Sequence, residues 1–258
     1  MRPKNSNRKT KTNKAKSPDL VRINKYLADN GISSRRKADE LVNEGLVKLN
    51  GKTVYELGVR IDPSTDRVTV KGKPLRSTPQ EKVYYLFNKP KKVITSMTDP
   101  QERLCVGDYF KKLKTRVFPA GRLDWDTEGL LIVTNDGEFT QEVMHPKSEI
   151  PKTYIAKIDG LPKQEQLDKL LKGVSIVGGR VKALKIEKIK RGTSDKYSWI
   201  KITITEGKNH QVKKMFAKIG FDVMKLQRVA IGKLSLGAVR TGHFKKLEAK
   251  DLLRIFKK

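Results

Sequence analysis

The chain has 258 residues and carries 57 Lys and Arg against 28 Asp and Glu, a formal net charge of +29. That length predicts one or two domains, and a charge of that size indicates nucleic acid as the partner. No stretch approaches the ~18 consecutive apolar residues of a membrane-spanning helix, so a soluble protein without membrane contact is expected. The single cysteine, Cys105, excludes an intrachain disulfide and fits a reducing, cytoplasmic compartment.

Residues 1–19 differ in composition from the rest of the chain. They carry seven basic residues, one acid and no aromatic residue. Such a segment buries too little apolar surface to offset the entropy lost on ordering, so it is predicted to be a disordered basic arm. An organelle-targeting peptide is disfavoured, because Lys outnumbers Arg and no apolar face recurs at helical spacing.

Residues 20–78 are predicted to form a small mixed domain. Ser33 or Ser34 precedes the second of two short helix patterns and is a typical N-cap. Asn50 and Gly51 lie between two β-type runs and predict a hairpin turn. Two helices followed by strands therefore indicate one small folded unit.

The second helix of this unit begins with a basic triplet, Arg35, Arg36 and Lys37. A triplet of this kind is most often a solvated helix face, and that interpretation stays open. The Ser-Arg-Arg-Lys-Ala run and the Val-Lys-Leu-Asn-Gly-Lys hairpin nevertheless resemble the alpha-L RNA-binding domain of the S4 type. The resemblance implies that the three cations contact RNA and dock it without selecting the base.

A proline-flanked stretch, residues 74–79, is predicted to be a linker, and residues 80–258 are predicted to form a second domain. Short strand patterns dominate this part, with a few helix patterns between them. They include residues 83–87 and 199–205 for strands and residues 163–171 and 248–256 for helices. The mixture indicates an α+β fold with a mainly antiparallel sheet flanked by helices.

The most distinctive segment is residues 121–137, which read Gly-Arg-Leu-Asp-Trp-Asp-Thr-Glu-Gly-Leu-Leu-Ile-Val-Thr-Asn-Asp-Gly. Asp124 lies on a turn that leads into the strand-like apolar run of residues 130–133. Acids at alternate positions imitate the start of a calcium-binding EF-hand loop. Asn135, however, occupies the twelfth position, where that loop needs a bidentate Glu. A metal site is therefore not predicted.

An isolated carboxylate in so basic a chain suggests nucleophilic chemistry. Ionised carboxylates are competent nucleophiles at sugar or heteroaromatic carbons, and a neighbouring cation favours their charged form. Candidate cations for Asp124 are Arg122 and Lys213. Lys213 lies beside the apolar stripe of a predicted helix, so its side chain can follow the protein wall into a cleft, whereas Lys218 is expected to face solvent.

Four segments of the chain occur in a characteristic order. The 121–137 run is preceded by Phe-Asn-Lys-Pro-Lys at a strand end and followed by Lys-Thr-Tyr at residues 152–154. The fourth is Glu-Gly-x-Asn-x-Gln-Val-Lys-Lys-Met-Phe at residues 206–216. Together they resemble the bacterial RsuA/RluB family of ribosomal RNA pseudouridine synthases. With the N-terminal domain, the resemblance covers roughly residues 20–250.

The resemblance implies an enzyme that isomerises uridine to pseudouridine in ribosomal RNA without a cofactor or metal. It implies that Asp124 is the nucleophile, which attacks either the uracil ring or its ribose. Tyr154 would stack on the flipped base and take part in the final proton removal. Lys213 would be the basic partner of the aspartate, and Arg122 would contact RNA. Extrusion of a base costs a few kcal/mol. RNA binding by the N-terminal domain and by the positive charge would offset that cost.

Further candidate RNA contacts lie directly after the predicted strand of residues 83–87 and within the motif of residues 206–216. They are Lys89, Lys91, Asn209, His210, Gln211 and Lys214. His210 is interpreted as an RNA contact and not as an acid–base catalyst, because the sequence shows no partner for it. Lys92 stands where the family usually has glycine, so the backbone of that turn is expected to differ.

The target subunit is less clearly indicated. Asn209 is typical of the large-subunit enzymes of the family, whereas His210 before Gln-Val resembles the small-subunit type; the segment around residues 223–226 favours the large subunit. The alternatives are a small-subunit synthase, a non-catalytic RNA-binding ribosome-assembly factor, and an RNA glycosidase with an aspartate nucleophile. The expected partner is ribosomal RNA or a ribosomal assembly intermediate, and the expected state is a monomer.

Overall fold

A computed structural model describes residues 20–75, 80–191 and 195–257. The predicted basic arm lies outside the described residues, as do residues 76–79 of the predicted linker. The chain divides into two units, residues 1–80 and residues 81–258. Each unit mixes helices with strands, which confirms the α+β class.

Within the described residues, the first unit has two helices and six short strands. In chain order they are β1 (Val21–Arg22), α1 (Ile23–Asp29), α2 (Arg35–Asn43), β2 (Val47–Leu49), β3 (Lys52–Thr53), β4 (Arg60–Ile61), β5 (Val68–Val70) and β6 (Lys73–Pro74). β1 pairs with β4, and the other strands form a sheet in the order β3-β2-β5-β6. Apolar side chains of both helices pack on β2, β4 and β5 to form the core of this unit.

Local sequence explains the elements of the first unit. The Ser34 hydroxyl accepts a hydrogen bond from the backbone N–H of Lys37 at 3.2 Å, which confirms the predicted cap of α2. Asn50 and Gly51 have φ values of 50° and 83°, as a two-residue type I′ hairpin requires. The basic triplet that opens α2 is exposed along its whole length.

The second unit contains the larger sheet. Its elements are β7 (Tyr84–Lys89), α3 (Val106–Phe110), β8 (Phe118–Ala120), β9 (Thr127–Thr134), α4 (Gly137–Met144), a 3₁₀ turn (Pro146–Ser148), β10 (Lys152–Asp159), α5 (Gln164–Lys172), β11 (Val174–Ile176), β12 (Gly179–Val181), β13 (Lys185–Ile189), β14 (Tyr197–Ile204), α6 (Gln211–Lys218), β15 (Val223–Ile231), β16 (Leu234–Ser235), β17 (Phe244–Lys246) and α7 (Ala249–Phe256).

Seven of these strands form the main path of the sheet, in the order β13-β14-β10-β15-β9-β7-β17; β16 adds to β15 and β8 to β9. Among the described residues, every pairing in this sheet is antiparallel except that of β9 with β15. The mainly antiparallel sheet predicted from the sequence is therefore confirmed.

β9 is central to this sheet and is buried on both faces. Leu130 and Ile132 belong to one hydrophobic core, while Leu131 and Val133 belong to the other. Successive side chains of a strand point to opposite faces, so a strand covered on both sides has a continuous apolar run. This rigid strand begins three residues after Asp124 and fixes the turn that carries it.

Candidate active site

A cavity of about 820 Å³ lies in the second unit, a volume typical of small-molecule sites. Its walls come from the turn before β9, from the inward faces of β10 and β15, and from the loop before α6. Asp124, Tyr154, Arg228 and His210 all line it. The fold thus brings together residues that are up to 104 positions apart in the chain.

The backbone around Asp124 is held from both sides. The buried hydroxyl of Thr95 donates to the carbonyl of Leu123 at 2.6 Å and accepts from the N–H of Leu123 at 3.2 Å. On the other side, the N–H of Thr127 donates to the carbonyl of Asp124 at 3.1 Å. The carboxylate itself stays one-third exposed, at 33%, so a fixed turn presents an accessible carboxylate.

A second loop supports the same turn. The N–H of Lys92 donates to the carbonyl of Trp125 at 2.7 Å, and Lys92 has a φ of 62°. This left-handed conformation is the one that glycine adopts without strain. Lys92 thus takes a glycine-like conformation in this turn.

Two basic side chains face the two oxygens of the Asp124 carboxylate. His210 Nε2 lies 3.5 Å from Oδ1, and Lys213 Nζ lies 3.8 Å from Oδ2. Lys213 makes a shorter contact, 2.5 Å, with Oδ1 of Asp126. Burial raises the pKa of Asp126, but the hydrogen bond and the charge of Lys213 outweigh it and lower the pKa overall. Asp124, Asp126, His210 and Lys213 are named the carboxylate cluster below.

The helix pattern explains how Lys213 reaches the carboxylate cluster. Val212, Met215 and Phe216 are buried on α6, and Lys213 emerges beside them with its side chain 22% exposed. Lys218 is exposed, as predicted. The partner of His210 was missed, because Asp124 is 86 positions away and no local pattern links the two.

The opposite wall of the cavity is formed by two neighbouring strands. Tyr154 of β10 pairs across the sheet with Arg228 of β15, and both are buried. Arg228 donates from Nε to the carbonyl of Leu130 at 2.7 Å, and its Nη1 lies 3.5 Å from the Tyr154 hydroxyl. A cation on the inward face of an apolar strand is the sequence signal that Arg228 offers.

Lys152 precedes Tyr154 on the same face of β10 and also lines the cavity. It is 6% exposed, and its Nζ donates to the carbonyl of Thr205 at 3.3 Å. Burial first, and the charge of Arg228 second, lower the pKa of Lys152 to about 8. Lys152, Tyr154 and Arg228 are named the cationic wall below.

The close approach of β9 and β15 joins the two sides of the site. Gly129 pairs with Arg228 in the parallel register and has a φ of 109°. A Cβ at Gly129 would lie 2.2 Å from the carbonyl oxygen of Arg228, so no other residue fits without moving backbone.

Two expected RNA contacts need correction. Lys89 is fully buried at the end of β7, where its Nζ donates to the carbonyls of Pro90 and Val93 at 2.8 Å. Burial lowers the pKa of Lys89 to about 8, against the opposing pull of nearby carboxylates. Gln211 is 3% exposed, and its side-chain oxygen accepts from the N–H of Lys208 at 2.9 Å. Both side chains stabilise loops, because their polar atoms already form hydrogen bonds with backbone groups.

The other predicted RNA contacts are accessible to different degrees. Arg122 is exposed and lines the cavity. Asn209 is exposed at the cavity and accepts from Lys214 Nζ at 3.2 Å. Lys91 is half-buried in the loop after β7. These side chains stay candidates for RNA contact.

A family model described as RNA pseudouridylate synthase matches residues 83–218, and one described as S4 domain matches residues 21–68. The chain therefore belongs to the RNA pseudouridylate synthase family, whose members are isomerases, and it carries an S4 RNA-binding domain. The resemblance to the RsuA/RluB family drawn from the motifs is confirmed.

Individual relatives align over nearly their whole length. The chain is 44% identical over 236 residues to ribosomal large subunit pseudouridine synthase B of Bacillus subtilis (strain 168), covering 92% of this chain and 96% of that one. It is 40% identical over 238 residues to an uncharacterized RNA pseudouridine synthase of Aquifex aeolicus (strain VF5), covering 92% and 94%. A crystal structure of a pseudouridylate synthase, 28% identical, covers 91% of this chain and 99% of its own with a TM-score of 0.63.

Two further features concern only the described ranges, 20–75, 80–191 and 195–257. No helix in them is long and apolar enough to cross a membrane. They also contain no group of three or more His, Cys, Asp and Glu side chains placed to hold a metal ion.

Proposed function

We propose that this enzyme isomerises a uridine of large-subunit ribosomal RNA, with Asp124 as the nucleophile. The similarity to the large-subunit enzyme of Bacillus subtilis, over nearly all of both chains, supports the choice of RNA. One observation carries the chemistry: an accessible Asp124 carboxylate, with His210 facing one oxygen and Lys213 the other, at a cavity that is also lined by a buried tyrosine.

The reaction begins with attack of the Asp124 carboxylate on the ribose or on the uracil ring. Lys213 Nζ places positive charge 3.8 Å from one oxygen of Asp124, and the imidazole of His210 lies 3.5 Å from the other. The bond between C1′ and N1 breaks, the freed base rotates, C5 bonds to C1′, and the bond to Asp124 is released. C5 loses its proton and N1 gains one, so the aromatic ring is restored and the product has the same composition as the substrate.

The target nucleotide enters the cavity in a flipped conformation, because a stacked base cannot reach Asp124. Tyr154 offers a buried ring against which the base stacks, and its hydroxyl is available for the final proton transfer. Arg122 lies at the cavity and is exposed, which suits a contact with the RNA backbone. The exposed cations of α2, Arg35, Arg36 and Lys37, anchor the RNA through phosphate contacts.

Release of tritium from ribosomal RNA labelled at uracil C5 tests this function, because the reaction removes the C5 hydrogen. Wild-type protein should release tritium, and Asp124→Asn should abolish release while binding RNA with unchanged affinity. Asp159→Asn, at an exposed aspartate in the last position of β10, is the matched control and should retain activity. The double variant Arg35→Gln/Arg36→Gln should bind RNA more weakly but still release tritium.

Mapping pseudouridines in cells that lack the protein identifies the subunit. Loss of one position in large-subunit RNA supports the proposal, and loss from small-subunit RNA contradicts that part of it. Unchanged pseudouridine content would indicate a non-catalytic RNA-binding factor. An abasic product from purified protein would indicate a glycosidase.

A further inference from the structure

The cationic wall carries two positive charges without a negative partner. Arg228 is 4% exposed and Lys152 is 6% exposed. Within the described part of the chain, no carboxylate forms an ion pair with either side chain. Buried charges in proteins are normally paired, because transfer from water is costly. The wall is therefore suited to a ligand that brings negative charge into the cavity.

Arg228 also has an unused hydrogen-bond donor. Its Nε and Nη1 are directed to Leu130 and Tyr154, but the buried Nη2 has no partner. Thr127 has a buried, unpartnered hydroxyl as well. Of the four such side-chain atoms in the described residues, these two belong to residues that line the cavity. Since buried polar groups are normally hydrogen-bonded, each of these buried atoms lacks a partner that a bound ligand could supply.

The position of Arg228 suits one part of that ligand. Paired residues on antiparallel strands share a face of the sheet, so Arg228 lies beside Tyr154 in the cavity. A base stacked on the Tyr154 ring brings its edge next to the guanidinium. A guanidinium donates hydrogen bonds and accepts none, so it selects an acceptor, and uracil offers the carbonyl oxygens O2 and O4.

We propose, building on the function above, that Arg228 binds a carbonyl oxygen of the flipped uracil through Nη2 and stabilises the negative charge that develops on the base. When C1′–N1 breaks, its electron pair stays on the base and spreads over N1, O2 and O4, while an Asp124 oxygen takes the place of N1 on C1′. When Asp124 instead adds to C6, the electron pair of the C5–C6 double bond moves onto the C4 carbonyl. Both routes place charge on the atoms that Arg228 reaches.

Lys152 adds a second positive charge on the same wall. A fixed cation in a cavity shielded from water stabilises developing charge more strongly than water does, because it needs no reorganisation. Arg228 thus acts on the base, while the carboxylate cluster contains the attacking group, Asp124. The reaction is therefore divided between the two sides of the cavity.

Sulfur substitution in the substrate tests the contact directly. The probe is the large-subunit RNA fragment around the mapped site, with uridine, 2-thiouridine or 4-thiouridine at the target, because sulfur is a poorer acceptor than oxygen. In single-turnover assays, one thio substrate should slow wild-type enzyme by roughly ten- to a hundredfold, the value of a charged hydrogen bond. Arg228→Gln should be slow on uridine and lose that dependence. Lys225→Gln, on the same strand but outside the cavity lining, should keep it.

The wild-type comparison decides the matter even when Arg228→Gln fails to fold. Equal wild-type rates on all three substrates would overturn the role of Arg228, and so would equal slowing of wild type and Arg228→Gln by sulfur. Arg228→Lys keeps the charge but loses the forked donor. Its rate on uridine should therefore lie between the rates of wild type and Arg228→Gln. Absence of wild-type activity on the uridine fragment would instead refute the proposed function.

Discussion

The two sides of the cavity differ in burial and in the pairing of their charges. The carboxylate cluster is partly exposed and has basic side chains beside its acids, since Lys213 lies between two acids and His210 faces one of them. The cationic wall is buried and unbalanced, and its charges lie on strands. The exposed acids already have basic neighbours without substrate, whereas a buried, unbalanced wall gains most when an anionic group arrives. The difference agrees with the proposed division, in which the first side supplies the nucleophile and the second side receives the developing charge.

Gly129→Ala should have the largest effect, because it separates the two sides. The added Cβ would lie 2.2 Å from the Arg228 carbonyl oxygen at a φ of 109°, so the pairing of β9 with β15 must open. We expect a loss of roughly 3 kcal/mol or more in unfolding free energy, measured by urea denaturation.

Gly137→Ala is the control for that loss. No atom lies within 4 Å of the new Cβ, and Gly137 is the first residue of α4, so alanine should be neutral or stabilising there. Equal stability of Gly129→Ala and wild type would show that the two sides are not joined at this glycine.

Thr95→Val should disturb the carboxylate cluster alone. The nearly isosteric change removes the hydroxyl that bonds both the carbonyl and the N–H of Leu123, leaving two buried backbone groups unpaired. The expected cost is about 1–3 kcal/mol. The rate at saturating RNA should also fall, because Asp124 is the next residue.

Thr153→Val provides the comparison for Thr95→Val. It removes a 3.0 Å hydroxyl contact between β10 and β14, on the side of β10 opposite Tyr154. This variant should lose stability without losing rate. A normal single-turnover rate for Thr95→Val would mean that the turn does not depend on Thr95.

Elements that depend on neighbouring residues were predictable, while the place of Arg228 in the cationic wall was not. The Ser34 cap, the Asn50-Gly51 hairpin and the stripe of α6 follow from local patterns. Arg228 acquires its role through a hydrogen bond that spans 98 positions and a parallel pairing that no short motif encodes. Lys89 shows the converse limit: charge in a sequence suggests exposure, but backbone carbonyls hold this lysine inside.

Lys152→Met should have an effect that depends on pH. The pKa of Lys152 is about 8 in the folded protein and ordinarily 10.5, so the unfolded chain binds more protons between these values. Wild-type stability therefore gains from this group as pH rises from 8 to 10.5, with a slope of up to ~1.4 kcal/mol per pH unit. Methionine removes that gain, so the stability of the variant relative to wild type should be highest below pH 8.

Urea denaturation of both proteins from pH 7 to pH 10 measures the difference in stability. The contribution of Lys89 is the same in both proteins and cancels. Lys218→Met, at an exposed position, should show no trend over that range. A constant difference for Lys152→Met would mean that this lysine is not held as a buried cation, and the cationic wall would then reduce to Arg228.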